Sequence, residues 1–449
     1  MRYIFRLLIL LTICHLKANG QGQNQTALKL DEYLKSANNA YRFNGVALVI
    51  HNGEVLLNKG YGFSDIVSKT LNNPDTRFPI LSITKSFTAT IILKLQDDKK
   101  LSIHDKLSKY FPDFPDGSKI TIHHLLTHSS GIYNYTGDVG IEDSAIVNHP
   151  ISKERVVSYF RDKPLDFPPG KYYSYNNSGY FLLGLVIEKI TGKPYETVVR
   201  ENIFKPLGMN QSGFDFINLP KSVKAQGYEI WDQDTVIPYR HYDSTFAYSA
   251  GSIYSTTTDM VKWAQAVSSR QILKPKTWEL AFKSKIRNYG YGWMTGQFFG
   301  KRYVRHSGGY PGYMSEFIYY PNEGFIIVLL NNFGSYDNNV WSVGMGISCI
   351  VHQLPYDNWQ MREKIMIDNS VLDKYVGYYK GSGKEEVVIN LKETSLYVEM
   401  EGLPDMLLHA ENEKVFFLEN FNDVVTFAED KLTIHAHGRD YIYLKKDSR

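Results

Sequence analysis

The sequence predicts an α+β fold, with one antiparallel sheet flanked by helices, an inserted helical subdomain and a small all-β domain at the C-terminus. A hairpin is indicated near the start, because Val46 to Ile50 and Glu54 to Leu57 flank Asn52-Gly53, the dipeptide that favours a two-residue turn. A second strand pair, Phe317 to Tyr320 and Phe325 to Leu330, lies near the end of the large domain. Helical patterns occupy the stretch between the two pairs, so we expect both pairs to meet in one sheet.

The helices are predicted from apolar spacing and from residues that begin or end helices. They are Leu28 to Tyr41, a long apolar helix that begins near Ser82 within Phe78 to Gln96, Thr121 to Leu126 with Thr121 as its N-cap, a helix that ends at Gly192, and one that carries Met260, Trp263 and Val267. All but the first lie between the two strand pairs.

The C-terminal region changes to short alternating segments, which is typical of a small barrel or sandwich. These segments are Glu386 to Leu391, Ser395 to Met400, Val415 to Leu418, Val424 to Phe427, Leu432 to Ala436 and Tyr441 to Leu444. We therefore predict a large domain over residues 21–356, a linker over residues 357–370 and a β domain, most simply a barrel, over residues 371–449.

The composition indicates a folded protein with a sizeable core. Of the 449 residues, 43% are hydrophobic and 22% are charged, and the net charge is only +3. No run of lysine or arginine concentrates this charge, so binding to nucleic acid is not expected. The stretch Gly60-Tyr61-Gly62 is too little for a nucleotide-binding loop, and no cofactor is expected.

Residues 1–20 are predicted to be a signal peptide rather than part of the fold. Arginines at positions 2 and 6 precede the apolar run Leu7 to Cys14, and Ala18 to Gly20 offers the small residues that a signal peptidase requires. The apolar run is too short to span a bilayer, so we expect a periplasmic or secreted protein without a transmembrane segment in its mature chain. The bulky Ile13 disfavours a lipoprotein attachment at Cys14. Cleavage near residue 20 would leave Cys349 alone, which excludes an intramolecular disulfide.

The clearest candidate for chemistry is the pair Ser82 and Lys85, one helical turn apart at the start of the long apolar helix. Residues three apart share a helix face, so the hydroxyl and the amine can touch. A helix N-terminus also offers free backbone N–H groups that favour an oxyanion. This is the Ser-x-x-Lys pattern, which by itself is weak evidence for a nucleophile and its base.

Two further stretches can supply partners: a loop with Tyr175 and Asn177, and a segment from His306 to Gly309. With these in place, the chain resembles the serine β-lactamase-like family, which includes class C β-lactamases, D-alanyl carboxypeptidases, D-aminopeptidases and esterases. The resemblance covers Leu30 to Asn332, and its landmarks in order are FPILSITKSFTA, ITIHHLLTHSSGI, PGKYYSYNNSGYFLLG, SAGSIYSTTTDM, YGYGW and HSGGYPGYMSEF. It implies a β-lactamase/transpeptidase-like fold, and the β domain resembles small barrels appended to some members.

The resemblance also implies roles for individual residues. Ser82 would be the nucleophile, Lys85 its activating partner, and Tyr175 a second acid or base. Asn177 would position the amide or ester of the substrate. The backbone N–H groups of Ser82 and Gly309 would hold the oxyanion. Because a lysine beside a tyrosine titrates as a coupled pair, the sequence leaves open which of them takes the serine proton.

His306, followed by Ser307 and Gly308, stands where β-lactamases usually have the lysine of a K-[TS]-G motif. A histidine with a pKa near 6.5 would be only about a quarter charged at pH 7, so it would hold a substrate carboxylate less well than a lysine. Esterase or peptidase activity is therefore expected before β-lactam hydrolysis. Leu81, where the family often has glycine, is expected to narrow the access to Ser82.

The leading expectation is an exported serine hydrolase that cleaves an ester or amide of a small molecule or peptide, such as a fragment of the cell wall. The alternatives are a penicillin-binding or sensor protein that keeps the fold but turns over slowly, a true β-lactamase, and a protein whose β domain carries the main function. His123, His124 and His128 favour packing and capping over a metal site, and His435 and His437, expected on one face of a strand, are too few ligands for one. The oligomeric state stays open.

Overall fold

The computed structural model describes residues 25–138, 147–230, 236–239, 242–334, 340–381, 386–400, 405–418 and 421–446. The predicted signal peptide and Cys14 lie outside these residues. The chain divides into two compact units, one formed by residues 44–336 and the other by residues 1–43 together with residues 337–449. The domain boundaries drawn from the sequence stay a prediction.

The strands and helices have the following bounds. The strands are β1 Gly45–His51, β2 Glu54–Tyr61, β3 Phe63–Asp65, β4 Thr70–Leu71, β5 Phe78–Pro79, β6 Gly227–Ile230, β7 Val236–Tyr239, β8 Tyr254–Ser255, β9 Met294–Phe298, β10 Lys301–Tyr310, β11 Tyr313–Tyr320, β12 Phe325–Asn331, β13 Gly377–Lys380, β14 Glu386–Lys392, β15 Ser395–Met400, β16 Met406–Ala410, β17 Val415–Leu418, β18 Asp423–Ala428, β19 Lys431–Ala436 and β20 Arg439–Lys446. The helices are α1 25–39, α2 Thr84–Asp97, α3 Ile122–Leu126, α4 Tyr135–Asp138, α5 Lys153–Ser158, α6 Asn177–Thr191, α7 Tyr195–Val199, α8 Lys205–Leu207, α9 Ser244–Gly251, α10 Thr257–Ser268, α11 Pro275–Phe282, α12 Trp341–Val351 and α13 Asn369–Leu372.

The unit of residues 44–336 contains a six-stranded sheet in the order β2-β1-β12-β11-β10-β9. Each neighbouring pair is antiparallel, and β1 from the start of the unit pairs with β12 from its end, with Gly45 opposite Asn331. The β1–β2 hairpin turns at Asn52-Gly53, where both residues have positive φ, as the predicted turn requires. The prediction that the two ends of the large domain form one sheet is therefore confirmed.

The central helix of this unit is α2, which is buried on almost all sides from Thr84 to Leu93. A helix that is buried on almost all sides lies inside a large core rather than at its surface. The helix α6 begins where the Asn176 side chain accepts a hydrogen bond from the Gly179 N–H, and it ends at Gly192 with φ of 68°. Both caps follow the residues expected at helix ends, and the predicted end at Gly192 is confirmed.

The other unit contains α1, α12, α13 and a closed eight-stranded barrel, β13 to β20. The barrel has its own core, which includes Val387, Leu396, Val425 and Leu432. The predicted β domain is confirmed, but β13 and β16 were not predicted. The β16 sequence MLLHA has no clear alternation of apolar and polar residues, so its pattern does not distinguish a strand.

One prediction for the barrel is wrong. His437 does not share a strand face with His435, because β19 ends before it and His437 has φ of 50° in the turn to β20. His435 instead bonds to carboxylates, with Nδ1 at 2.6 Å from Asp440 Oδ1 and Nε2 at 3.2 Å from Asp357 Oδ1.

Candidate active site

Ser82 lies on a short 3-10 turn, Leu81–Ile83, that leads directly into α2. The predicted helix start is therefore slightly early, because the regular helix begins at Thr84. Ser82 is partly exposed, whereas Leu81, Ile83 and Thr84 are buried. Ser82 is thus the accessible position of this turn, as a reactive hydroxyl must be.

Leu81, just before the serine, has φ of 53°, in the left-handed region that glycine adopts most easily. Its side chain is 1% exposed and belongs to the hydrophobic core. The expectation that Leu81 narrows the access to Ser82 is therefore wrong, because the side chain packs inward. This burial offsets a backbone strain of roughly 1–2 kcal/mol.

The Lys85 amine lies among three oxygen atoms inside the protein. Its Nζ is 3.0 Å from Ser82 Oγ, 2.8 Å from Asn177 Oδ1 and 2.8 Å from the Ala250 carbonyl oxygen. The Lys85 side chain has no exposed surface. The structure therefore brings the predicted pair Ser82 and Lys85 into hydrogen-bond contact.

Burial lowers the pKa of the Lys85 amine well below its ordinary value, because a buried charge loses its hydration. In its neutral form, which the lowered pKa favours, the amine has two N–H donors and one lone pair. The amide oxygens of Asn177 and Ala250 can only accept, so they take the two N–H groups. The lone pair is then left for the O–H of Ser82, which is the geometry of a base beside its nucleophile.

Tyr175 lies in the loop just before α6, and its phenol lies close enough to the Ser82 hydroxyl to interact with it. Its ring also faces the lysine, with Lys85 Nζ 4.9 Å from the ring centroid. Burial raises the pKa of the Tyr175 phenol, so the group keeps its proton near neutral pH. Ser82 therefore has both an amine and a protonated phenol beside it.

The Asn177 side chain is held within the protein at both ends. Its Oδ1 accepts from Lys85, and its Nδ2 donates to Thr136 Oγ1 at 3.0 Å. Its backbone N–H donates to Asn134 Oδ1 at 3.0 Å. The Asn177 amide oxygen therefore contacts Lys85 in the structure. The resemblance had implied that this side chain contacts the substrate.

His306 lies inside β10 and has no exposed surface. Its Nδ1 is 2.7 Å from the Ser307 carbonyl oxygen and its Nε2 is 3.0 Å from the Tyr289 hydroxyl. A carbonyl can only accept, so Nδ1 carries the proton and Nε2 accepts from Tyr289. Burial is the largest cause that lowers the pKa of His306, to about 3. The expected quarter charge at pH 7 is therefore wrong, and the imidazole is neutral.

This burial makes a prediction for stability. The pKa of His306 in the folded state, about 3, lies below its ordinary value of about 6.5, so the unfolded chain binds more protons. The contribution of neutral His306 to the free energy of unfolding is complete above about pH 6.5 and is lost as the pH falls toward 3. Between pH 7 and pH 5, we expect protonation of His306 in the unfolded chain to lower the free energy of unfolding by about 2 kcal/mol.

Urea unfolding at a series of pH values measures this effect. The variant His306→Asn keeps an N–H donor but cannot titrate, so its free energy of unfolding should fall less steeply over the same range. Equal slopes for the two proteins would contradict the assignment of a buried neutral imidazole.

Gly308 allows β10 to approach the serine turn closely. A Cβ at this position would lie 2.6 Å from Leu81 Cβ and 2.7 Å from the Ile80 carbonyl oxygen, which is closer than carbon atoms can pack. By contrast, a Cβ at Gly309 would meet nothing nearer than Met314 Sδ at 3.4 Å. Position 308 therefore requires glycine, whereas position 309 has room for a side chain. Both residues lie in strand β10 rather than in a turn.

The backbone N–H of Gly309 points to an edge of β10 that no other described strand pairs with at this position. The pairing of β9 with β10 ends at Arg305, opposite Met294. Tyr310 and Tyr313 close a two-residue turn between β10 and β11, and the residues that close such a turn hydrogen-bond to each other. Because the bonding direction alternates along a strand, Gly309 directs its N–H away from β11.

Two groups at the site were not predicted from the sequence. Tyr289, which holds His306 Nε2, belongs to the YGYGW landmark, whose spacing alone assigns no contact. The Ala250 carbonyl, which accepts from Lys85, is a backbone atom and leaves no mark in the residue type. Ala250 lies two residues after Tyr248, which has φ of 42° and ψ of −130° within α9.

Two other histidines make hydrogen bonds away from Ser82 and Lys85. His124 completes the N-terminal cap of α3 with Thr121, and His123 Nδ1 is 2.8 Å from the Tyr291 hydroxyl. Within the described ranges, no group of three or more His, Cys, Asp or Glu side chains is placed to hold a metal ion. None of the helices described is long and apolar enough to cross a membrane.

Comparison with known proteins places this fold among the penicillin-binding proteins and their relatives. An octameric penicillin-binding protein homologue from Pyrococcus abyssi has a TM-score of 0.67 at 25% identity, covering 93% of this chain and 99% of its own. The D-amino acid amidase from Ochrobactrum anthropi SV3, complexed with L-phenylalanine amide, has a TM-score of 0.62 at 26% identity, covering 70% of this chain and 91% of its own. The fold class thus includes hydrolases.

The chain belongs to the β-lactamase family, since the model of the Beta-lactamase family matches residues 30–339. PbpX of Bacillus subtilis (strain 168) is 35% identical over 265 residues, which are 59% of this chain. The chain spans 64% of the length of PbpX. The expected serine β-lactamase-like family, with an appended C-terminal barrel, is confirmed.

Proposed function

We propose that the protein is an exported serine hydrolase that cleaves an ester or amide through an acyl-enzyme on Ser82. The observation that carries this proposal is the buried Lys85 amine, which lies 3.0 Å from Ser82 Oγ and is held by hydrogen bonds to the Asn177 and Ala250 carbonyl oxygens. A serine is a weak nucleophile unless a neighbouring base takes its proton. Export rests on the signal-peptide pattern of residues 1–20.

The neutral Lys85 amine takes the Ser82 proton while Oγ attacks the carbonyl carbon of the substrate. The carbonyl oxygen becomes an oxyanion, which the N–H groups of Ser82 and Gly309 stabilise. The orientation of the Gly309 N–H toward the open edge of β10 supports this role. The base is Lys85 rather than Tyr175, because the raised pKa of Tyr175 keeps its phenol protonated.

Tyr175 then donates its proton to the leaving oxygen or nitrogen, and the Lys85 ammonium returns the proton to the phenolate. The bond to the leaving group breaks, and the acyl group stays on Ser82 Oγ. In the second half, water attacks the acyl carbonyl while Lys85 takes the proton of the water. The bond between the acyl carbon and Ser82 Oγ then breaks, and the Lys85 ammonium gives its proton to Oγ. The steps use protein groups and water, and they need no metal or cofactor.

The proposed substrate has no carboxylate that needs a cation at position 306. The neutral, buried His306 favours an uncharged ester or amide over a β-lactam, whose carboxylate a lysine would hold. Similarity to a D-amino acid amidase supports amides of D-amino acids, which lack a free carboxylate, as candidate substrates.

A substrate panel tests this proposal. We expect turnover of a p-nitrophenyl ester or a D-amino acid amide at least about 10-fold faster than turnover of nitrocefin, with activity absent from Ser82→Ala. Faster hydrolysis of nitrocefin would show a true β-lactamase. Covalent labelling of Ser82 by a fluorophosphonate probe, without turnover of any substrate in the panel, would instead show a penicillin-binding or sensor protein.

A further inference from the structure

We infer that His128 is a positioning residue that holds the Tyr175 phenol beside Ser82. His128 lies just after α3, is 1% exposed and has φ of 56°. The inference rests on the proposed function, because it concerns how the proton donor of that reaction is placed.

The residues on both sides of Tyr175 are bonded to His128. The Ser174 N–H donates to the His128 carbonyl oxygen at 2.9 Å, and the Asn176 N–H donates to His128 Nδ1 at 3.0 Å. Between these bonds the tyrosine ring packs on the imidazole, with the ring centroids 4.3 Å apart. Two hydrogen bonds and a ring contact from one residue therefore fix the backbone and the ring of Tyr175.

The bond to Asn176 also fixes the protonation state of His128. Because Nδ1 accepts from a backbone N–H, the proton of the neutral ring is on Nε2. Nε2 is buried and has no hydrogen-bond partner among the described residues. Its surroundings are aromatic, and the Tyr289 ring is centred 4.6 Å from the imidazole. The polar imidazole of His128 is thus buried among aromatic rings, and the hydrogen bond of its side chain goes to the segment that carries Tyr175.

Two variants separate the contributions of His128. His128→Asn keeps an acceptor at the Nδ1 position and suits positive φ, but it loses the ring contact. His128→Phe keeps the ring and loses the acceptor. For an alkyl ester, whose leaving group needs a proton, we expect kcat/KM to fall about 10-fold for His128→Asn and about 100-fold for His128→Phe.

A double-mutant cycle distinguishes positioning from a general structural role. In a Tyr175→Phe background the proton donor is absent, so either substitution at His128 should change kcat/KM by less than about 3-fold. The same loss in both backgrounds would overturn the inference. The control is His123→Asn, which removes an imidazole bonded to Tyr291 and should leave kcat/KM within about 2-fold.

A crystal structure of each variant gives a readout that does not need activity. We expect the Tyr175 hydroxyl of His128→Phe to lie beyond hydrogen-bond reach of Ser82 Oγ. An unchanged hydroxyl position in both variants would overturn the inference, even if the protein hydrolysed no ester. If wild-type protein lacks hydrolysis while the hydroxyl moves as expected, the proposed function fails and the positioning role stands.

Discussion

Lys85→Met is expected to lower kcat/KM for ester hydrolysis by about 1000-fold while the protein stays folded. Methionine has a similar length and suits a buried position, but it cannot accept the Ser82 proton. The wild-type amine has Ser82 Oγ 3.0 Å away and no exposed surface, so bulk water does not readily replace it. Steady-state kinetics and circular dichroism on the same preparations measure both effects.

The matched control for this substitution is Lys94→Met. Lys94 lies on the same helix but is partly exposed, and it pairs with Asp98 at 3.4 Å. Exposed pairs of this kind contribute little to stability, so activity should stay within about 2-fold of wild type. If Lys85→Met kept more than a tenth of wild-type activity, another group would be the base.

Gly308→Ala is expected to lower kcat/KM by about 100-fold and the free energy of unfolding by about 1–3 kcal/mol. The added Cβ would lie 2.6 Å from Leu81 Cβ and 2.5 Å from Ser315 Oγ. Strand β10 must then move away from the turn that carries Ser82. This movement separates the N–H groups of Ser82 and Gly309, which the proposed oxyanion needs at a fixed distance.

Gly309→Ala is the control for stability. Its Cβ would meet only Met314 atoms at 3.4 Å and 3.9 Å, which is ordinary contact. We expect its free energy of unfolding to stay within about 0.5 kcal/mol of wild type, as urea unfolding can show. Equal stability of the two alanine variants would contradict the close approach at Gly308.

The sheet and the serine-lysine pair could be predicted because their signals are local. Asn52-Gly53 requires a tight turn, and Ser82 and Lys85 are close on any helical backbone. The short strand β16 could not be predicted, because its five residues lack alternation and are held by pairing with β15 and β17. Closure of the barrel depends on such pairing rather than on the pattern of one segment.

The charge state of His306 could not be predicted for a similar reason. Its neutrality depends on burial and on a hydrogen bond from Tyr289, which is 17 residues away in the chain. The two carbonyl acceptors of the Lys85 amine, on Asn177 and Ala250, also come from separate segments of the chain. Sequence motifs identify reactive residue types, whereas the protonation state follows from packing.

The central claim is that Ser82 is the residue that becomes acylated. Its most direct test is incubation with a fluorophosphonate probe, followed by proteolysis and mass spectrometry of the labelled peptide. We expect one adduct per chain, located on Ser82, and none on Ser82→Ala. An adduct on a different residue, or equal labelling of wild type and Ser82→Ala, would contradict the claim.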